Sequence, residues 1–202
     1  AHGNYWIDDG PTCWVDIEAF KSMHRRSAEL EEKDPEQALT LCEQGIELYR
    51  GDFLPEETWQ DWAITLRQYY RELFIDMALR AAKLVMQLQG NVSSAVRFCR
   101  EALACDPYRE EVYQALMTHL IEAGHYAEAA RQYRRVANLL RDEFGLEPSP
   151  ETTALFEQMK RGLDGTVNAE QAAEAAKGPL VVDRATFDII HSLFLRQQGR
   201  DG

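Results

Sequence analysis

Gly90 and Gly124 stand 34 residues apart, and the residues that follow them keep step. The same offset pairs Ala95 with Ala129, Arg97 with Arg131 and Arg100 with Arg134. This spacing is the period of the tetratricopeptide unit, two helices folded back on each other through a tight turn. The apolar pattern falls into the same frame. Tyr113, Leu116 and Leu120 take the large positions of a first helix, and Gly124, Tyr126, Ala129 and Tyr133 follow in the turn and the second helix. One unit earlier, Leu79, Ala82, Met86, Gly90, Ala95, Cys99, Ala102 and Pro107 do the same work. Small residues let two helix axes approach, and large ones fill the space beside them. Ala38, Cys42 and Gly45 repeat the spacing of Ala95, Cys99 and Ala102, which predicts a third, degenerate second helix.

Breaks and caps mark the elements around this frame. Asp16 is placed to cap a helix carrying Phe20, Met23, Ala28 and Leu30. Asp34 with Pro35 starts another, which ends towards Gly51. The apolar period from Thr58 to Gln89 predicts either one long helix or a short helix followed by a long one. Further helices are predicted at Val92–Cys105, Arg109–Ala123, Tyr126–Phe144 and Pro150–Gly162. "DPYREE" and "EPSPET" read as turn and cap chemistry, with Pro and acids opening a helix and Ser149 capping. The N-terminus differs: "NYWI" and "CWV" flank the turn-former "DDGPT", predicting a small hairpin of Tyr5–Ile7 against Cys13–Val15. Residues 163–179 are polar and Ala-rich, a linker. Beyond it, residues 180–202 carry an apolar stripe of Phe187, Ile190, Leu193 and Phe194. That stripe predicts a short amphipathic helix that docks on this body, on a second copy or on a following domain.

The expected fold class is therefore all-α, a tetratricopeptide-like helical-hairpin superhelix with a small N-terminal β-hairpin and a C-terminal helix after a linker. Charge narrows the function. With 34 acidic and 22 basic residues, the net charge of −12 makes the chain by itself a poor ligand for a phosphate backbone. No apolar run approaches membrane-spanning length, and there is no signal-peptide pattern. The four cysteines, Cys13, Cys42, Cys99 and Cys105, form no C-x-x-C pair and read as reduced thiols of a cytoplasmic protein. No nucleophile–base or metal constellation is visible, so neither enzyme activity nor a cofactor is expected.

Five motifs in order carry a resemblance to a known family: "DIEAF" (Asp16–Phe20), "LYRGDFLPE" (Leu48–Glu56), "W…LR" (Trp62–Arg67), "CDPYREEVYQALM" (Cys105–Met117) and "FGLEPSPET" (Phe144–Thr152). Together they resemble the bacterial transcriptional activator domain of SARP-type (antibiotic regulatory protein) regulators, over roughly residues 14–160. The resemblance implies an all-helical domain that follows a winged-helix DNA-binding domain. "GNYWIDD" (Gly3–Asp9) looks like the last strand of such a winged helix, which makes residues 1–15 its remnant and 16–162 the helical domain. The implied partners are the transcription machinery or another regulatory protein, a second copy in a homodimer, and DNA only through the missing N-terminal domain. The family's larger members carry a nucleotide-binding P-loop next, and this chain has none. The alternative function is a helical domain that senses a small molecule or peptide in a groove between hairpins.

Candidate contact residues follow from pattern. Arg97, Arg100, Arg131, Arg134 and Arg135 recur with the repeat, either as an interaction stripe or as a solvated face paired with Glu101 and Glu128. Trp59 and Trp62 share a helix face after the "RGDFLPE" loop, and either seal that loop or anchor a partner. The stripe of Phe187, Ile190, Leu193 and Phe194 is the third candidate. His24, His119 and His191 lie on separate predicted helices and Cys42 and Cys99 fill small packing slots, so all five read as structural.

Overall fold

The computed structural model describes residues 16–52 and 61–162. The chain divides into two units, Ala1–Gly162 and Leu163–Gly202, and every described residue belongs to the first. The hairpin expected before Asp16, the linker at 163–179 and the tail helix at 180–202 lie outside the described residues, as does Trp59.

Seven helices run through the described residues. They are α1 (Asp16–Leu30), α2 (Pro35–Leu48), α3 (Asp61–Gln89), α4 (Val92–Cys105), α5 (Glu110–Glu122), α6 (Tyr126–Phe144) and α7 (150–162). Their ends are made by local chemistry. The Asp34 carboxylate accepts from the Gln37 N–H at 3.0 Å and the Asn91 side chain from the Ser94 N–H at 3.1 Å, capping α2 and α4. Gly90 and Gly124 close the first helix of successive units with φ of 60° and 75°, a left-handed conformation that side chains resist. The repeat read from the sequence is thus a repeat of backbone conformation.

Three details differ from the sequence reading. Asp16 is the first residue of α1, where its carboxylate takes the adjacent Ile17 N–H at 2.8 Å. Helix α2 ends at Leu48, because the backbone turns extended at Tyr49, two residues before Gly51. Pro107 does not open α5. The Asp106 carboxylate accepts from the Tyr108 N–H at 3.1 Å, which puts Pro107 in a turn ahead of the helix.

The helices pair as α1–α2, α3–α4 and α5–α6, and each hairpin packs on the next through α2–α3 and α4–α5. The first helices also touch in series, α1 with α3 and α3 with α5. The small slots sit where axes approach: Ala38, Cys42, Ala95, Cys99, Ala102 and Ala129 are all fully buried. Phe98, Met77, Tyr113, Leu116 and Leu120 fill the space between them. Helix α7 closes the stack. Its Thr152 and Ser149 hydroxyls accept from Gln114 of α5 at 2.9 and 3.2 Å, and Phe156 stacks on Tyr133 of α6 with centroids 4.0 Å apart. As expected, Ser149 caps α7, its hydroxyl accepting from the Thr152 N–H.

Candidate interaction surfaces

The repeat places the arginines on second helices, Arg97 and Arg100 on α4 and Arg131, Arg134 and Arg135 on α6, and all five are exposed. Arg97 reaches Glu101 one turn along α4 at 2.8 Å, and its guanidinium lies 4.2 Å from the Phe98 ring centroid. Arg100 crosses to Glu128 of α6 at 2.9 Å, a side-chain link between two helices that do not pack on each other. Arg134 donates to the Ala130 carbonyl at 3.3 Å, and Arg135 lies beside the Tyr113 phenol. Acids therefore pair with the two α4 arginines, as the solvated-face reading expects. Exposed ion pairs of this kind contribute at most about 1 kcal/mol each. The three α6 arginines remain exposed around them, on a chain of opposite net charge.

A second surface lies between the first helices. An open groove of about 340 Å³ runs between α1 and α3, with Tyr69 and Leu73 on one side and Glu18, Lys21 and Arg25 on the other. Beside it, a polar bridge ties the two helices together. His24 lies 2.6 Å from Asp76, and Arg80 donates to Asp76 at 2.8 Å, to Glu31 at 3.0 Å and to the buried Ser27 hydroxyl at 3.2 Å. Lys83 completes the bridge, 2.7 Å from the other Glu31 oxygen. The His24 imidazole, and then the Arg80 guanidinium, hold Asp76 below the usual carboxylate range. Lys83, and then Arg80, do the same for Glu31. Sequence reasoning missed this bridge and treated His24 as an isolated residue. Its one local signal was Asp76 and Arg80, four apart on a helix.

The "LYRGD" motif has a structural role of its own. Tyr49 stacks on Phe74 with centroids 4.5 Å apart, and its hydroxyl donates to Asp52 at 3.3 Å. Asp52 in turn accepts from Arg71 of α3 at 2.7 Å. The chain leaving α2 is thus tied to α3 by one aromatic and one ionic contact. Between α3 and α5, Arg109 pairs with Glu72. Trp62, the described half of the tryptophan pair, is 51% exposed near the start of α3. Phe187, Ile190, Leu193 and Phe194 lie outside the described residues.

None of this geometry is that of a reaction centre. Burial pushes the Cys99 thiol up to about 12 and raises Cys42 and Cys105, so these thiols are poor nucleophiles at neutral pH. His119 is buried, and burial lowers its pKa. Its Nδ1 lies 3.7 Å from Glu122, beyond hydrogen-bond reach, and has no other partner. No group of three metal-ligating side chains occurs among the described residues.

Comparison with known families decides what kind of helical stack this is. The family model described as the bacterial transcriptional activator domain matches residues 15–160. The chain belongs to that family. The transcriptional regulator RedD of Streptomyces coelicolor is 29% identical over 146 residues, which cover 72% of this chain and 41% of RedD. The transcriptional regulatory protein EmbR of Mycobacterium tuberculosis is 31% identical over 107 residues, covering 52% of this chain and 28% of EmbR. The chain thus spans less than half the length of the curated relatives it matches. A solved structure of M. tuberculosis EmbR, in complex with a low-affinity phosphopeptide, superposes with a TM-score of 0.64 at 20% identity, covering 80% of this chain and 44% of that one. The C-terminal TPR-containing domain of a Plasmodium falciparum FK506-binding protein superposes with a TM-score of 0.54 at 13% identity, covering 77% and 97%. The tetratricopeptide-like architecture is shared with proteins that differ widely in sequence. No helix among the described residues is long and apolar enough to cross a membrane.

Proposed function

We propose that this chain is the protein-interaction and self-association domain of a SARP-type bacterial transcriptional regulator, working in the cytoplasm beside a winged-helix DNA-binding domain. The observation that carries the reading is the set of exposed arginines on α4 and α6, linked across by Arg100 and Glu128, in a family whose curated relatives are named as transcriptional regulators. Base recognition falls to the winged helix, because a chain with a net charge of −12 repels the duplex. The helical domain then acts by contact: with the transcription machinery or another regulatory protein, and with a second copy. Residues 1–15 supply the end of the winged helix and residues 180–202 a further association element.

The test reverses charge in the intact regulator. Arg131→Glu with Arg135→Glu is expected to abolish promoter activation in cells while leaving promoter binding and the melting temperature unchanged. Full activation by this variant would refute the arginine row as a contact. Self-association is read separately, by light scattering of this chain with and without residues 180–202. A monomer at high micromolar concentration in both would refute that part.

The open groove between α1 and α3 favours a second reading, in which it holds a small molecule or peptide and biases the domain between two arrangements. Titration with candidate metabolites is then expected to raise the melting temperature progressively with concentration. A flat response across the series would refute this reading.

A further inference from the structure

The exposed charges of α6 are sorted by sign along the helix. Arg131, Arg135, Asn138 and Asp142 follow one another at spacings of four, three and four, which places them on one outward stripe. The buried Ala129, Val136 and Leu140 lie on the opposite side of the helix. The stripe is basic towards its start, where Arg134 flanks it, and acidic at its end, where Glu143 follows Asp142. All six of these polar side chains are exposed.

Local structure does not account for this sorting. Arg134 and Arg135 stand three and four positions after Arg131, so three like charges are neighbours on the helix surface. Asp142 and Glu143 sit in the last turn, where the partial negative charge of the helix end opposes them. Among the described residues no carboxylate pairs with Arg131, Arg134 or Arg135, and no cation pairs with Asp142 or Glu143. The α4 arginines differ, for Arg97 has Glu101 and Arg100 has Glu128. A face whose unpaired charges are basic at one end and acidic at the other is the complement of the same face turned end for end.

We infer that a second copy of this chain docks on α6, helix against helix and antiparallel, about a two-fold axis through the middle of the stripe. In that arrangement Arg131 comes level with the partner's Asp142 and Arg135 with the partner's Asn138, and symmetry makes each contact twice. The acidic ends gain cations, the arginine clusters gain acids, and the two helix dipoles oppose each other. The stripe from Arg131 to Asp142 is about 16 Å long. Its contacts are exposed, and exposed pairs are individually weak. The dimer is therefore weak and salt-sensitive in free solution, and grows strong when another part of the regulator already holds two copies together. The inference rests on the self-association proposed above and assigns its surface.

Charge exchange tests it in the full 202-residue chain, by sedimentation equilibrium at low ionic strength. The parent chain is expected to dimerise at high micromolar concentration and to dissociate as salt is added. Arg131→Glu alone and Asp142→Arg alone should each weaken the dimer by roughly tenfold or more, because each sets like charges together twice. One variant's stripe is then acidic at both ends and the other's basic at both ends. An equimolar mixture of the two should therefore associate again as a heterodimer, a rescue that misfolding cannot mimic. The two substitutions combined in one chain should restore the homodimer. A parent chain that stays monomeric, single variants without effect, or a mixture that stays monomeric overturns the inference. A dimer that ignores Arg131→Glu but is lost on deleting residues 180–202 also overturns it, and leaves the self-association reading standing with the tail as its seat.

Discussion

Gly45 tests the packing of α2 on α3 most sharply. It lies inside α2, buried, with ordinary helical backbone. A Cβ added there falls 2.0 Å from Met77 Cε and 3.1 Å from Met77 Sδ. Two effects oppose each other in Gly45→Ala. Replacing glycine in a helix interior stabilises by about 1 kcal/mol. Overpacking a filled core costs about 1–3 kcal/mol. Met77 is fully buried, so its terminal methyl can move only by disturbing other core side chains, and the clash wins. The net expectation is a loss of about 1 kcal/mol, which lowers Tm by roughly 2–4 °C for a chain of this size. The decisive version is a double-mutant cycle measured by urea unfolding. Met77→Ala alone opens a cavity and costs about 2–5 kcal/mol. In that background the obstruction is gone, the new methyl fills space, and Gly45→Ala should become stabilising by about 1 kcal/mol. The same sign in both backgrounds would refute the contact as the reason that glycine is required.

Ala129→Leu, in a fully buried small slot of α6, is expected to cost about 1–3 kcal/mol; an unchanged urea midpoint would mean that the slot is not tight. Asp76 and Glu31 both have folded pKa values below their ordinary ones, so the stability they add is complete above the normal carboxylate range and is lost as pH falls through the lowered values. The drop in Tm on acidification below about pH 4.5 should therefore be smaller in Asp76→Asn with Glu31→Gln than in the parent chain, and an identical drop would remove the α1–α3 bridge from the account. Asp52→Ala removes the carboxylate from a half-buried Arg71 whose Nε already lacks a partner, and should cost roughly 1 kcal/mol in thermal or urea unfolding.

What the sequence carries plainly here is local. Asp34 before Pro35, Asn91 before α4 and a glycine after each of α3 and α5 are short-range devices, and the helices they bound match the sequence reading closely. The small slots were legible too, because a fixed period turns chain position into depth, and Ala95 and Ala129 are both fully buried. The α1–α3 bridge was not legible. Its partners are separated by 52 positions, and only the docking of two helices brings them level. The arginine row was half legible. The period put the side chains on equivalent helices and the charge pattern set Glu101 and Glu128 beside them, but that Arg100 of α4 is the arginine that reaches Glu128 of α6 is not encoded by spacing. Trp62 marks the remaining limit: its type and position suggested either a seal or an anchor, and only its exposure shows that the helical core leaves it open.

Each hairpin here touches only the hairpins before and after it, and that has a mechanical consequence. Such a stack behaves as a short spring, whose stiffness is set joint by joint rather than by one shared core. Pulling or twisting at one end loads the joints in series, and the softest yields first. The α1–α3 joint is reinforced by charges spread over a long lever along both helices, and the α5–α6–α7 end by ring stacking and hydroxyl contacts. Salt should weaken the exposed members of the first, such as Lys83, while leaving the second unchanged. The two ends of the spring thus answer to different solution conditions, and its compliance can change at one end while the other keeps its shape.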